Sequence, residues 1–180
     1  PLFNRVSGNN LNGIPMNFPN AERQLTEFPF EEKAKTDVAS PLLLQAHDLW
    51  DRKRANRLMP ARADLDPVEM PKLLPHMALI EVRPYGQRLR VRLVGTNIVN
   101  IYGANFTGQY MDEIDFGDAG DKILSDYQFA TGMKRPLFSD HAFRKLNGID
   151  LNIERVILPL SDDNKTVSML FVVMSFRKHA

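Results

Sequence analysis

The chain has 180 residues, of which 43% are hydrophobic and 25% charged, and its formal net charge is +1. This length allows one domain with a substantial core, and the balanced charge gives no indication of a nucleic-acid surface. Cysteine is absent, which excludes a disulfide framework, a thiolate metal site and a thiol nucleophile. No apolar run could span a membrane and no secretory signal is evident, so we expect a cytoplasmic protein without membrane partners.

The N-terminal part is predicted to contain an arm followed by a helix. Residues 1–36 show no helical or strand periodicity and are interrupted by asparagine, glycine and proline, which predicts a flexible arm. Ser40-Pro41 predicts a helix start, because a hydroxyl N-cap followed by proline favours a helix N-terminus. The helix should end by Met59, since Pro60 disfavours helical geometry at the preceding residue. Its apolar stripe comprises Leu42, Leu43, Ala46, Leu49 and Trp50.

A short helix and a β-hairpin are predicted next. Asp66 is the expected N-cap of the short helix, with Glu69 placed to close a capping box. Strands are predicted at Met77–Val82 and Arg88–Val94, joined by a turn at Arg83-Pro84-Tyr85-Gly86. The second strand alternates arginine with aliphatic residues, so one of its faces should be buried and the other exposed.

Two helices are predicted in an insert after the hairpin. The first is Thr96–Tyr102, ended by Gly103, and the second is Asp118–Thr131, with Gly132 beyond its end. The acidic residues of this region do not fit the spacing of a calcium loop, and we attribute them to favourable placement near a helix N-terminus. They are Glu113, Asp115, Asp118, Asp121 and Asp126.

Three more strands are predicted to begin near Leu137, Ile149 and Thr166. Asn147-Gly148 predicts a tight two-residue turn between the first two of them. The last strand, Thr166–Arg177, is apolar on both faces and should therefore lie at the centre of the sheet. We predict an α+β fold with a five-stranded antiparallel sheet in the order 2-1-5-4-3. The insert should cover one face and the N-terminal helix the other.

Several short motifs resemble those of PAS domains and, more narrowly, of the stand-alone PAS-like proteins of alphaproteobacteria. The resemblance implies a sensory or regulatory module with a small internal pocket. It places the PAS-like core at residues 76–180, after a helical segment at 37–75. The motifs are Trp50 with Arg52, Pro60-Ala61-Arg62-Ala63-Asp64-Leu65-Asp66-Pro67, Leu73-Leu74-Pro75, Leu93-Val94-Gly95-Thr96, Phe106-Thr107-Gly108 and Ile157-Leu158-Pro159-Leu160.

The resemblance does not identify a cofactor. PAS domains with flavin photochemistry or a covalently attached chromophore need a cysteine, and the chain has none. The best-known haem-binding type uses a histidine on the long insert helix, and Asp118–Thr131 contains none. We therefore expect none of these three cofactors. Non-covalent ligands, including a flavin without photochemistry, remain open.

Five residues of the insert and the third strand are candidates for lining a ligand pocket, although core packing is the simpler explanation for their aromatic members. They are Tyr102, Phe106, Tyr127, His141 and Phe143. The four histidines show no metal-ligand spacing, and no catalytic motif is present. We therefore predict no metal site, no catalytic residue and no enzymatic activity.

Three classes of function fit the sequence. The leading one is a regulatory module acting through protein–protein interaction, tuned by a small ligand. The second is a constitutive interaction or scaffolding domain with a filled core, and the third is a small enzyme. We expect an unidentified signalling protein as partner and a homodimer formed through the outer sheet face and the N-terminal helix. The expected dimer contacts are Leu42, Leu43, Leu49, Leu170 and Val172.

Overall fold

The computed structural model describes residues 33–178, apart from 84–87 and 146–147. Most of the predicted arm and of the Arg83–Gly86 turn therefore lie outside the described residues. The helices are α1 (Pro41–Arg54), α2 (Thr96–Tyr102) and α3 (Gly120–Met133), and the strands are β1 (Met77–Val82), β2 (Leu89–Val94), β3 (Leu137–Arg144), β4 (Asp150–Leu160) and β5 (Met169–Lys178). In the described part of the chain, no helix is long and apolar enough to cross a bilayer.

The five strands form one antiparallel sheet in the order β2-β1-β5-β4-β3, which confirms the predicted topology. The central strand β5 is apolar on both faces, and its residues Leu170, Phe171, Val172 and Val173 have no exposed surface. A strand of this kind is stable only where both faces are covered. The arginine-bearing β2 and the polar β3 lie at the two edges, as their sequences predict.

Helix α1 covers one face of the sheet, which we call the α1 face. The indole Nε1 of Trp50 donates a 2.7 Å hydrogen bond to the Pro159 carbonyl, and Trp50 is buried. The ring of His47, on the same helix, stacks on Phe138 with centroids 5.6 Å apart. Trp50 therefore anchors α1 to β4 through both apolar contact and a hydrogen bond.

The segment from α2 to α3 covers the opposite face, which we call the insert face. Ala78 and Ile80 of β1 border a small cavity on this side, together with residues of both helices. Directly paired residues share a face, so Val172 opposite Ala78 and Leu170 opposite Ile80 also point towards the insert. Leu170 and Val172 therefore lie on the insert face rather than on the α1 face, and their role as contacts for a second subunit, which depends on which face points outward, stays a prediction.

Helix α1 begins where the sequence predicts, but its capping differs in detail. Ser40 occupies the N-cap position without a side-chain hydrogen bond to the backbone. Further on, the Asp66 carboxylate accepts a 2.9 Å hydrogen bond from the Val68 amide, as expected for a cap. Glu69 does not close a capping box. Its carboxylate pairs with the Lys53 ammonium of α1, because the 67–69 turn packs beside that helix.

Helix α3 runs further than the sequence predicts. It starts after a single 3₁₀ turn at Gly117–Ala119 and continues through Gly132 to Met133. Lys134, with φ 55°, takes the left-handed position that ends the helix, and its amide donates to the Ala130 carbonyl at 3.0 Å. Gly132 was the expected terminating residue, but a lysine ends the helix instead.

The connection between β3 and β4 is described at its two ends. The Lys145 amide donates to the Ile149 carbonyl at 2.9 Å, and the Gly148 amide donates to the Lys145 carbonyl at 2.8 Å. Gly148 has φ 80°, a left-handed conformation that glycine adopts without strain. The predicted two-residue turn at Asn147-Gly148 includes residue 147, and residues 146–147 lie outside the described residues.

Lys33, within the predicted arm, is held against the sheet. Its amide donates to the carbonyl of Phe138 in the edge strand β3 at 3.1 Å. Its ammonium pairs with Asp140 at 3.3 Å and with Glu154, which is 1% exposed. Arg177 of β5 pairs with the same Glu154 carboxylate at 2.7 Å. Two cations from distant parts of the chain thus neutralise one buried carboxylate on the α1 face.

Gly95 joins the hairpin to α2 at a point where two backbone segments nearly touch. Its amide donates to the Met77 carbonyl at 2.7 Å. A Cβ atom at this position would meet the Leu74 carbonyl oxygen and would lie 2.5 Å from that of Pro75. The φ of Gly95 is −71°, so the requirement for glycine is one of space rather than of backbone angle.

We expect opposite effects from two glycine-to-alanine substitutions. Gly95→Ala should lower the free energy of unfolding by about 2 kcal/mol or more, because backbone carbonyls must move to admit the methyl group. Gly132→Ala should raise it by about 0.4–1 kcal/mol, because Gly132 is exposed inside α3 with open space around it. Urea denaturation of both variants measures these changes. Equal effects would contradict the close approach at Gly95.

Candidate functional site

Four aromatic side chains form a cluster at the end of the insert face, and Tyr102 is its centre. The Tyr102 ring lies 4.6 Å from that of Phe143, 5.9 Å from that of Phe106 and 6.0 Å from that of Phe116, measured between centroids. Phe106 and Phe116 contact each other at 5.7 Å. These edge-to-face and tilted arrangements are the favourable geometries for aromatic pairs. We call these four residues the aromatic cluster.

An open cleft of about 920 Å³ lies beside the aromatic cluster. Residues 100–103 of α2 and the following loop form one wall, residues 115–119 a second, and residues 142–145 with Asp150 a third. Its rim carries both signs of charge, including Asp115, Asp118 and Lys145, together with a bidentate ion pair between Arg144 and Asp150. The cleft thus combines aromatic walls with a polar rim, which is the usual composition of small-molecule sites.

A second, much smaller cavity of about 30 Å³ lies deeper, between the insert and the sheet. Its lining is apolar and aromatic, including Ile98, Ile123 and Tyr127. A volume of this size holds about one water molecule, whereas ligand sites usually measure about 300–1,000 Å³. Tyr102, Phe106 and Phe116 line both spaces. The aromatic cluster therefore separates the cleft from the inner cavity.

A group of buried polar side chains lies behind Tyr102, and we call it the buried polar cluster: Asp126, Ser139, His141 and Arg155. The Arg155 guanidinium is fully enclosed and bonds Asp126 of α3 through Nη2 at 2.5 Å and Ser139 through Nε at 2.9 Å. Lys122 also contacts Asp126, at 3.3 Å. This network joins helix α3 to strands β3 and β4 across the insert face.

Two nitrogen atoms of this cluster lack a hydrogen-bond partner among the described residues. They are Nη1 of Arg155 and Nδ1 of His141. The other ring nitrogen of His141, Nε2, lies 3.3 Å from the Tyr102 hydroxyl. His141 and Ser139 share a face of β3, and Ser139 is directly opposite Arg155, so all three side chains are neighbours on the insert face.

Burial sets the protonation of this region. It lowers the pKa of His141 to about 2, and the positive charges of Arg155 and Lys122 act in the same direction. His141 is therefore neutral at physiological pH. Burial likewise raises the pKa values of the Tyr102 and Tyr127 hydroxyl groups, so both phenols remain protonated. The described residues contain no group of three or more histidine or carboxylate side chains that could hold a metal ion.

All five candidate pocket residues lie in this one region. Tyr102, Phe106 and Phe143 belong to the aromatic cluster, His141 contacts Tyr102, and Tyr127 lines the inner cavity beside it. The structure thus brings them together, and whether they bind a ligand stays a prediction.

The expected dimer contacts are mostly inaccessible in the described chain. Leu43 and Leu49 are buried under α1, and Leu170 and Val172 are enclosed on the insert face. Leu42 alone of the five keeps part of its surface exposed. These contact residues and the dimer itself stay predictions.

The family model of the PAS domain matches residues 38–175, which is most of the chain. The chain belongs to the PAS domain family. PAS domains are generally sensory or regulatory modules and typically lack enzymatic activity. In this PAS domain, the matched segment starts just before α1 and ends within β5, so it includes both sheet coverings as well as the sheet.

Solved structures with a similar fold include the LOV protein of Rhodobacter sphaeroides, at 13% identity over 62% of this chain and 68% of that one, with a TM-score of 0.46. A PAS domain from Colwellia psychrerythraea matches at 15% identity over 63% and 98%, with a TM-score of 0.43. The PAS domain of the fruit-fly ELK potassium channel matches at 12% over 62% and 94%, with a TM-score of 0.45. No curated protein sequence matches this PAS domain.

The sequence interpretation missed Phe116 and the buried pair of Asp126 and Arg155. Asp126 was attributed to the helix dipole, but it is 2% exposed and pairs with Arg155 instead. One signal was available: Glu154-Arg155 directly precedes the apolar run 156–160 within β4. A charged pair in such a strand places one charge on each face, and a buried charge requires a partner.

The low pKa of His141 predicts acid-dependent loss of stability. In the unfolded chain a histidine titrates near pH 6.5, so protonation favours unfolding below that pH. The His141 contribution is complete above about pH 6.5. It should fall by about 1.4 kcal/mol per pH unit as the pH is lowered towards 2. Urea denaturation between pH 7.5 and 5 measures this slope. The His141→Gln variant, which cannot titrate, should show a correspondingly shallower slope, and an unchanged slope would contradict a buried neutral histidine.

Proposed function

We propose that this PAS domain is a sensory module that binds a small ligand in the cleft beside the aromatic cluster and changes its contacts with a partner protein in response. The observation that carries the proposal is the cleft itself, with a volume of about 920 Å³ and walls that include Tyr102, Phe106 and Phe143. Its volume lies within the range of small-molecule sites, and aromatic faces favour a planar ligand.

The sizes of the two spaces favour the cleft, rather than the inner cavity, as the ligand site. The inner cavity is about 30 Å³, which is too small for any cofactor. A ligand in the cleft would contact Tyr102, whose hydroxyl lies next to His141. On the same face of the sheet as His141 lies Arg155, which bonds Asp126 of α3. Because that pair joins α3 to the sheet, movement at Tyr102 has a physical route to α3.

The second candidate function is a constitutive interaction domain without a ligand. It is favoured by the same small inner cavity, since the space between insert and sheet is filled by the chain's own side chains. The two proposals differ in what the cleft does, and a binding experiment separates them.

Partners of this domain, including a second copy and an unidentified signalling protein, are also part of the proposal. A shallow groove of about 360 Å³ runs along α1 and supports a contact there. Leu44 and Leu49 of α1 line it with Met70 and Leu73, and Leu44 is partly exposed. Of the expected dimer contacts, Leu49 lines this groove and Leu42 lies on the same helix, so a contact through α1 keeps part of the predicted interface.

We expect a neutral aromatic probe, 2-naphthamide, to bind the cleft. In an NMR titration, amide signals of residues 100–103 and 142–145 should shift, while those around Trp50 on the α1 face should not. Phe143→Ala should weaken binding about tenfold by removing one aromatic wall. The matched control Leu58→Ala changes an exposed side chain outside the cleft and should bind normally. Shifts confined to the α1 groove would overturn the cleft proposal.

Self-association is tested separately by sedimentation over a wide dilution series. A dimer formed through the α1 groove should dissociate on dilution, and Leu44→Glu should weaken it at least about tenfold because a charge enters the apolar contact. Leu93→Glu, at an exposed leucine on the edge strand β2, is the control. A wild-type protein that stays monomeric at the highest concentration would contradict the dimer.

A further inference from the structure

The two unpartnered nitrogen atoms behind Tyr102 belong to side chains that are more than nine-tenths buried. Arg155 is 1% exposed and His141 is 6% exposed. Arg155 already uses Nη2 and Nε for Asp126 and Ser139, so Nη1 is its remaining donor group. Buried polar atoms are nearly always hydrogen-bonded. Arg155 and His141 do not line the cleft themselves, but His141 contacts Tyr102, which lines it, so the unsatisfied His141 nitrogen belongs to a side chain directly behind the cleft wall.

The charge around these atoms is positive. Arg155 and Lys122 carry one positive charge each and Asp126 carries one negative charge, which leaves a net charge of +1 in this group. The cleft rim does not share this bias, because Arg144 and Asp150 neutralise each other and Asp115 and Asp118 are acidic. Any preference for an anion must therefore come from the interior side of Tyr102.

The hydrogen-bonding roles indicate an acceptor ligand. When the Tyr102 hydroxyl donates to Nε2 of His141, the proton of the neutral imidazole is on Nδ1. Both unpartnered atoms, Nδ1 of His141 and Nη1 of Arg155, are then donors. A carboxylate offers acceptor oxygens to such donors, in addition to matching the positive charge.

Access to these donors is controlled by Tyr102. Its ring lines the cleft on one side and the inner cavity on the other, and its hydroxyl faces His141. The ring is partly buried and is held by Phe143 at 4.6 Å. A rotation of Tyr102 into the open cleft would connect the cleft with the buried polar cluster.

We infer that the ligand of this PAS domain is a small aromatic carboxylate, with its ring on the aromatic cluster and its carboxylate bound by Arg155 and His141 after Tyr102 has moved aside. This inference rests on the proposed function and specifies the ligand class of the same cleft. It makes Tyr102 a gate residue and Arg155 the main determinant of specificity for the anion.

Matched acid and amide probes test the inference by isothermal titration calorimetry. The pairs are benzoate with benzamide, phenylacetate with phenylacetamide, and 2-naphthoate with 2-naphthamide. In at least one pair, the acid should bind about tenfold or more tightly than the amide, because a charged acceptor strengthens both hydrogen bonds. His141→Phe should reduce this preference while the amide still binds.

Removing Arg155 alone would leave Asp126 buried without its main partner, so the informative variant removes both charges. The double variant Asp126→Leu with Arg155→Met keeps the core apolar and should lose the preference for the acid. Arg92→Met, at an exposed arginine of β2 outside the cleft, is the matched control and should keep it. If the double variant keeps the preference for the acid, the inference is overturned.

Different results would contradict the cleft as a ligand site and the inference that its ligand is a carboxylate. Equal affinity for acid and amide in every pair, with binding still at the cleft, overturns the carboxylate inference alone. Failure of all six probes to bind overturns the cleft as a ligand site and the inference with it.

Discussion

Strand β5 must be shielded from water on both sides, and the rest of the fold follows from this constraint. Its four central residues have no exposed surface, so a covering on only one face would leave a row of apolar side chains in water. Helix α1 shields one face through Trp50, and the segment from α2 to α3 shields the other. In the sequence, α1 precedes the β1–β2 hairpin, and the segment from α2 to α3 follows it. Loss of either covering would expose β5.

The two coverings are attached by different means. Helix α1 packs on the sheet through apolar contacts and the Trp50 hydrogen bond. On the insert face, α3 is joined to β4 by a buried ion pair between Asp126 and Arg155. A buried ion pair contributes little net stability, but loss of one partner is costly. The position of α3 is therefore sensitive to the charge of either partner, whereas that of α1 depends mainly on apolar packing.

Features governed by local patterns could be predicted from the sequence. Alternation in β2 and the two apolar faces of β5 determined the strand order, because burial decides which strands lie at the centre. Features governed by distant partners could not. From the sequence, Asp126 cannot be distinguished from other acidic helix residues, because its partner Arg155 lies 29 positions later in the chain. The end of α3 could not be predicted either, because Lys134 rather than Gly132 takes the left-handed position beyond the helix.

The contacts of Lys33 show that a residue before α1 contributes to the folded unit. An edge strand such as β3 presents unpaired backbone groups that can recruit a strand from another molecule. The Lys33 amide occupies one of these groups, the Phe138 carbonyl, and its ammonium neutralises Glu154 beneath it. A chain shortened to residue 37 would keep α1–α3 and β1–β5. It would nevertheless lose the Lys33 contact with the β3 edge and leave Glu154 dependent on Arg177, so truncation there would favour intermolecular pairing while keeping these helices and strands.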